Sequence, residues 1–186
     1  CLLKTLSLRV LVICFLGIST LNASGLPWPA WQEVLSQPDS WYESPEAYAL
    51  AERALLFQRE SGGWPKNMDF SDLSCVPPTP ESEGDEHWAT IDNHATTLPI
   101  RFLARVIHSR GEKPDSPLVH SVTRGLDYLL EAQHPNGGWP QYYPLRGGYY
   151  DHITYNDNAM IRALTLLKDV SEGADPFGFV DENRRK

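Results

Sequence analysis

Three shortages mark this chain, and each removes a class of protein. Cysteine is scarce: of three in 186 residues, Cys1 and Cys14 fall in an N-terminal leader, which leaves Cys75 in the body of the chain. A disulfide scaffold and a cysteine metal site are thereby excluded. Positive charge is scarce as well, with 16 Lys and Arg against 24 Asp and Glu and a formal net charge of −8. That balance argues against nucleic acid and against an anionic membrane as partners. It also repels a polyanion, so an acidic ligand requires a bridging cation or a local basic patch. Third, alternating strand-like runs are lacking: the best candidate, 148–155, contains Asp151 and His152 and is too short to build a sheet alone. The fold class is all-α. No Gly-x-Ser-x-Gly elbow, P-loop or dinucleotide fingerprint occurs, and His87, His94 and His152 lack the spacing of a zinc site.

The leader reads as a secretion signal over residues 1–25: Lys4 and Arg9 form a basic start, Val10 to Ile18 an apolar stretch too short to span a bilayer, and Leu21-Asn22-Ala23 a cleavage region. The mature protein, 26–186, is expected outside the cytoplasm, extracellular or periplasmic, with no membrane partner once the signal is removed. The chain opens on Cys1 rather than Met, so its reading frame is expected to start upstream.

What is present is an internal repeat. Gln-x-x-x-Gly-Gly-Trp-Pro occurs at Gln58 to Pro65 and again at Gln133 to Pro140, each time closing an apolar helical run. Paired glycines suit a turn with positive φ, the Trp must bury, and the Pro forbids helical continuation. Each copy is followed by an Asp-Asn pair, Asp92-Asn93 and Asp157-Asn158, just before another helical run. A unit of helix, turn, polar loop and helix used twice is the pattern of a helical-hairpin array or toroid.

Four helices are expected. The first starts at the Ser44-Pro45 cap and runs to about Gln58, with Tyr48, Ala51 and Leu55 on one face. The second spans Leu98 to Ser109 and ends at Gly111. The third covers Leu118 to Gln133 with Val122, Leu126, Leu129 and Leu130 inward, and the fourth Asn158 to Glu172 with Ile161, Leu164 and Leu167 at helical spacing. Ser71 to Trp88, with Pro77-Pro78 and the run Glu81, Glu83, Asp85, Glu86, reads as a solvated loop.

Two roles are open to the Asp-Asn pairs. Asp92 or Asn93, and Asn156 or Asp157, can cap the helices that follow them. Alternatively, repeat-related helix starts open on one rim, so Asp92 and Asp157 can place two carboxylates in one cleft, with the oxygen donors that Ca²⁺ requires. The two roles can coexist. Cations and aromatics surround them: Trp64, Lys66 and Asn67 after the first turn, and Trp139, Gln141, Tyr142, Tyr143 and Arg146 after the second. Trp64 and Trp139 read as plugs beneath their turns. Arg146 stands beside Gly147 and Gly148, which permit close approach of a ligand whose carboxylate suits a guanidinium.

Taken in order, Gly62-Gly63-Trp64-Pro65-Lys66-Asn67, Thr90-Ile91-Asp92-Asn93-His94, Gly137-Gly138-Trp139-Pro140-Gln141-Tyr142 through Arg146-Gly147-Gly148-Tyr149, and Tyr155-Asn156-Asp157-Asn158-Ala159-Met160 resemble the successive signature blocks of the family-ten pectate lyases. The segment around Phe179-Val180-Asp181 resembles the family's next stretch of sequence after those blocks. The resemblance implies an incomplete α/α toroid built from helical hairpins, the N-terminal portion of a secreted catalytic domain that cleaves polygalacturonate, or another acidic pectic polysaccharide, by Ca²⁺-assisted β-elimination. It implies Asp92 and Asp157 as catalytic and calcium-binding residues, and Lys66, Asn67, Asn93 and Arg146 as substrate-binding residues. His94 stands where the family usually has Gly, and its side chain must fit beside the implied ion. The family's proton acceptor is an arginine from a later block that Arg101, Arg105 and Arg146 do not match, so this chain alone is expected to turn over little. The alternative is a non-catalytic secreted module that binds acidic polysaccharide. Terpenoid cyclases, toroids with Gln-Trp repeats, carry aspartate clusters that this chain lacks.

Overall fold

A computed structural model describes residues 28–79, 88–153 and 155–186. The leader and the acidic run Glu81, Glu83, Asp85 and Glu86 lie outside the described residues, as does His87. Among the described residues are four substantial helices, α1 Pro45–Leu56, α2 Thr97–Arg110, α3 Pro117–Ala132 and α4 Ala159–Ser171, followed by the single turn α5 Glu182–Arg185. Short 3₁₀ turns at Trp31–Ser36 and Asp39–Glu43 lead into α1. Among the described residues no strand forms, and extended backbone meets only at the isolated bridges Pro65 to Ala89 and Thr90 to Tyr142. The 148–155 candidate instead contains a 3₁₀ turn over Gly148–Asp151.

Local chemistry explains the helix ends. The Ser44 side chain accepts from the Ala47 N–H with Pro45 in the first turn, and Ser116 does the same for Val119 ahead of Pro117. Gly111, at φ 60, closes α2 in the left-handed conformation that glycine adopts without steric cost.

The expected faces hold at Ala51, Val122, Leu126 and Leu129, which are buried, and need correction at other positions. α1 buries Ala47, Leu50, Ala51 and Ala54, while Tyr48 and Leu55 are half-buried at its flanks. In α3 the inward positions include Gly125 and Tyr128, and Leu130 is 42 % exposed. α4 packs through Ala159, Ala163, Leu166 and Val170, leaving Ile161 and Leu164 at 59 % and 55 % exposure and Leu167 half-buried. The reason is shared: α2 touches α1, α3 and α4, and close helix approach favours alanine and glycine over larger apolar groups. At Gly125 an added Cβ would meet Ile100 at 2.8 Å and Trp64 at 2.9 Å.

The two copies of the repeat fold alike. In the first, Trp64 is buried and its indole donates to the Ala54 carbonyl at 2.8 Å, while Gln58 donates forward to Gly62 O at 2.7 Å. In the second, Trp139 donates to Leu129 O at 2.7 Å and Gln133 to Gly137 O at 3.0 Å. Each Trp plugs the end of the helix it follows, and each Gln braces the turn between them. The paired glycines divide their work. Gly62 and Gly137 supply φ of 97° and 86°. Gly63 supplies space, since a Cβ there would lie 3.0 Å from Ala89, Thr96 and Tyr128.

Candidate active site

The loops after the two Gly-Gly-Trp turns grip the segment 89–92 from both sides. Trp64 O accepts from Thr90 N at 3.1 Å, and Gln141 O accepts from Ile91 N at 3.2 Å and from the Thr90 hydroxyl. Thr96 bonds back to Thr90 O at 2.8 Å and accepts from Trp64 N at 3.1 Å. Asp92 is thereby set at the junction of the two repeats, only 4 % exposed.

Its carboxylate is well supplied with donors. Oδ2 accepts from Lys66 Nζ at 2.9 Å and Gln141 Nε2 at 2.8 Å, and Oδ1 from the Asn93 N–H at 3.0 Å. For Lys66, burial alone would depress the ammonium, but hydrogen bonds and charge from Asp92 and Tyr142 outweigh it, and its pKa is raised. Neither Asp-Asn pair supplies a side-chain cap: the N-cap position is Thr96 for α2 and Asn158 for α4, and no side-chain capping bond forms at either.

Tyr142 links this junction to the second basic residue. Lys66 Nζ lies 5.5 Å and Arg146 Cζ 4.6 Å from its ring centroid, and Arg146 also lies over Trp88 and Tyr150, at 5.3 and 5.2 Å. Aromatic faces hold the two cations near one another by cation–π attraction. The Arg146 loop is fixed from below, where Asp151 Oδ1 accepts from the backbone N–H groups of Arg146 and Gly147 at 3.0 and 2.9 Å.

Asn67, Asn93 and Asp157 gather elsewhere, around a cleft of about 450 Å³ that they line with His94 and Arg162. Asn93 donates to Asn67 Oδ1 at 3.1 Å. Asn67, Asn93, His94 and Asp157 all take positive φ, at 62°, 47°, 63° and 43°. Such conformations are uncommon outside glycine and gather at functional sites. Burial against the cleft wall, and then the Arg162 charge, push the His94 imidazole below its ordinary value. Asp157 is exposed, and Asp92 does not line this cleft.

A hard cation takes six to eight oxygens. The Asp157 carboxylate with the amide oxygens of Asn67 and Asn93 fits such an ion in donor type, and ligand oxygens must complete the shell. Among the described residues no group of three or more His, Cys, Asp and Glu is placed to hold a metal. Asp92 fits the ion less well, because a cation at its Oδ2 competes with an ammonium already there.

Three neighbours of the site were not assigned from sequence. Gln141 stands two residues after Trp139 as Lys66 stands two after Trp64, a correspondence visible in the repeat. Arg162 lies one helical turn beyond Asn158, which places it at the same loop. Trp88 carries no local signal, since only the tertiary fold brings it to Arg146.

The sequence profile of the family described as pectic acid lyase matches residues 58–186. The structure resembles a family 10 polysaccharide lyase from Cellvibrio cellulosa with a TM-score of 0.61 and 33 % identity, over 79 % of this chain and 43 % of that one. It likewise resembles an aspartate-to-alanine mutant of a family 10 lyase from the same organism, in complex with trigalacturonic acid, with a TM-score of 0.61 and 32 % identity, over 82 % of this chain and 47 % of that one. The chain thus spans less than half the length of these structures. No curated protein matches it. The helical hairpins, the paired Gly-Gly-Trp turns and these likenesses together show that the chain belongs to the pectic acid lyase family, with the all-α fold of part of a family 10 polysaccharide lyase toroid.

Proposed function

We propose that this protein is secreted and acts on polygalacturonate or a related acidic pectic polysaccharide, by the Ca²⁺-assisted β-elimination that the family resemblance implies. The observation that carries this reading is the pairing of Lys66 and Arg146 over the Tyr142 ring in a chain whose net charge is −8. Local positive charge on an acidic protein matches a polyanion, and the trigalacturonate complex of the similar lyase supplies its chemical class.

In the elimination, a proton leaves the ring carbon beside the uronate carboxylate. The bond from the adjacent carbon to the glycosidic oxygen breaks, and a carbon–carbon double bond remains. The first loss is eased when the carboxylate is neutralised. Lys66 and Arg146 bind and neutralise uronate charge, with Asp92 holding the Lys66 ammonium in place. Asn67 and Asn93 orient hydroxyls or oxygens, and Asp157 is the carboxylate open to a cation. Asp157, with Asn67 and Asn93, would hold a Ca²⁺ ion, which would supply Lewis-acid withdrawal of further charge from the uronate.

Two of the arginines are already engaged within the fold and are not placed to accept that proton. Arg101 pairs with Asp169 at 2.7 Å, and Arg105 donates to Leu35 O at 2.8 Å and the Tyr42 hydroxyl at 2.7 Å. General-base catalysis contributes about 10²- to 10⁴-fold, so the group that accepts the proton decides whether binding leads to turnover. That leaves the second reading, a module that binds acidic polysaccharide without cleaving it. Ultraviolet absorbance of unsaturated product from polygalacturonate, measured beside binding of trigalacturonate, separates the two. An absorbance rise supports elimination, binding with no rise supports the second reading, and absence of binding overturns both.

A further inference from the structure

The cleft that joins Asp157 to Asn67 and Asn93 contains a cation to which the elimination chemistry gives no task. Arg162 lines it, half-buried, and among the described residues its guanidinium makes no hydrogen bond or ion pair. Other arginines of the fold are committed. Arg53 donates to Phe70 O and Asp72 O, both at 2.7 Å, Arg124 to Arg59 O at 2.9 Å, and Arg184 to Asp127 at 2.7 and 2.9 Å. A half-buried guanidinium with five donors and no acceptor leaves hydrogen-bonding capacity unused.

The cleft also poses a problem of sign. Asp157 repels any carboxylate that enters beside it; one divalent cation balances Asp157 and the single uronate it bridges, so a further uronate carboxylate requires positive charge from the wall. Arg162 supplies that charge within the same 450 Å³ space, and no ion pair with Asp157 consumes it. Around them the lining suits a sugar acid. Asn67 and Asn93 offer amides for hydroxyls, while Met68 and Leu98 offer an apolar wall for the face of a ring.

Resting on the reading that the ligand is a polyuronate, we propose that Arg162 is a substrate-positioning and specificity residue. It receives the carboxylate of one galacturonate unit in the Asp157 cleft, a position separate from the Lys66 and Arg146 pair. The consequence is discrimination: a guanidinium fork bonds a carboxylate through two N–H groups and has no equivalent partner in a methyl ester.

The test is calorimetric titration of trigalacturonate and its fully methyl-esterified counterpart into the protein, Arg162→Gln and Arg162→Lys, in calcium-containing buffer. Loss of a charge-assisted hydrogen bond corresponds to roughly ten- to a hundredfold in affinity. Arg162→Gln should lose about that much affinity for the acid while binding the ester as the parent does, and Arg162→Lys should retain part of the preference. An undiminished preference for the acid in Arg162→Gln overturns the proposal while leaving the polyuronate reading intact. Failure of the unaltered protein to bind either trimer overturns the reading and the proposal together. Should Arg162→Gln fail to fold, the Arg162 Nε–H resonance of the unaltered protein decides: a shift with the acid alone supports the assignment, and no shift overturns it.

Discussion

Lys66 and Gln141 stand at the same place in the two copies of the repeat, two residues after Trp64 and Trp139, and both donate to the same oxygen of Asp92, at 2.9 and 2.8 Å. The duplication therefore does more than build two similar turns. It closes both onto one buried carboxylate, with an ammonium on one side and a neutral amide on the other.

Removing the ammonium should affect stability and binding together. Lys66→Met leaves the buried Asp92 charge without its counterion, and we expect a loss of about 1–3 kcal/mol in urea unfolding with weaker binding of trigalacturonate. Gln141→Ala should cost less binding, because it removes no charge. The pH dependence has a definite sign: the Lys66 pKa is raised in the folded state, so its stabilisation is complete below the unfolded value of about 10.4 and is lost as pH rises through the higher folded value. The difference between parent and Lys66→Met should stay flat from pH 6 to 9 and shrink above about 10.4.

The plugs are a matched pair. Trp64→Phe and Trp139→Phe each leave a helix-end carbonyl without its indole donor, and each should lower stability by about 1–3 kcal/mol. Similar losses from the two substitutions, read by denaturant midpoint, support equivalence of the copies. A neutral result at either site refutes it there.

On α4 the side-chain direction decides the outcome. Leu166→Ala removes a fully buried group and should cost about 2–5 kcal/mol, whereas Leu164→Ser, on the exposed face, should stay within about 0.5 kcal/mol. Thermal melts of the two variants check the corrected face. A larger loss for Leu164→Ser would restore the face expected from sequence spacing.

His94 occupies a left-handed position, φ 63, where the resemblance to family-ten pectate lyases leads one to expect glycine. His94→Gly relieves strain of about 1–2 kcal/mol and adds roughly 0.5–1 kcal/mol of unfolded-state freedom, so the net change in stability should be small. Its visible effect should be on the cleft, whose wall loses a ring: trigalacturonate binding should strengthen or hold, and a marked weakening would mean that the imidazole itself contacts ligand.

Much of the fold is legible in the sequence because the signals are local. Ser44-Pro45, Gly111 and the two Gly-Gly-Trp turns carry their own chemistry, and their structures follow from it. α1 and α4 differ from expectation because Ala47, Ala51, Ala54, Ala159 and Ala163 take deep positions, while Tyr48 and Leu55 pack at the edge of the core and Ile161 and Leu164 face outward. Only the crowding around α2 favours the small residues. The burial of Asp92 is not legible at all, since its partners lie 26 and 49 residues away. Two carboxylates in repeat-related loops look equivalent in sequence, yet tertiary contacts bury one beneath donors and leave the other at a cleft.

That contrast gives the most direct measurement of the central claim, a polyuronate and cation site with Asp157 at its open edge. Calcium is titrated into the protein and into Asp157→Ala, with and without trigalacturonate. The account predicts weak binding by the protein alone, since few protein oxygens are offered, clear strengthening when trigalacturonate completes the shell, and loss of that strengthening in Asp157→Ala. Calcium binding that ignores trigalacturonate, or that survives unchanged in Asp157→Ala, would contradict it.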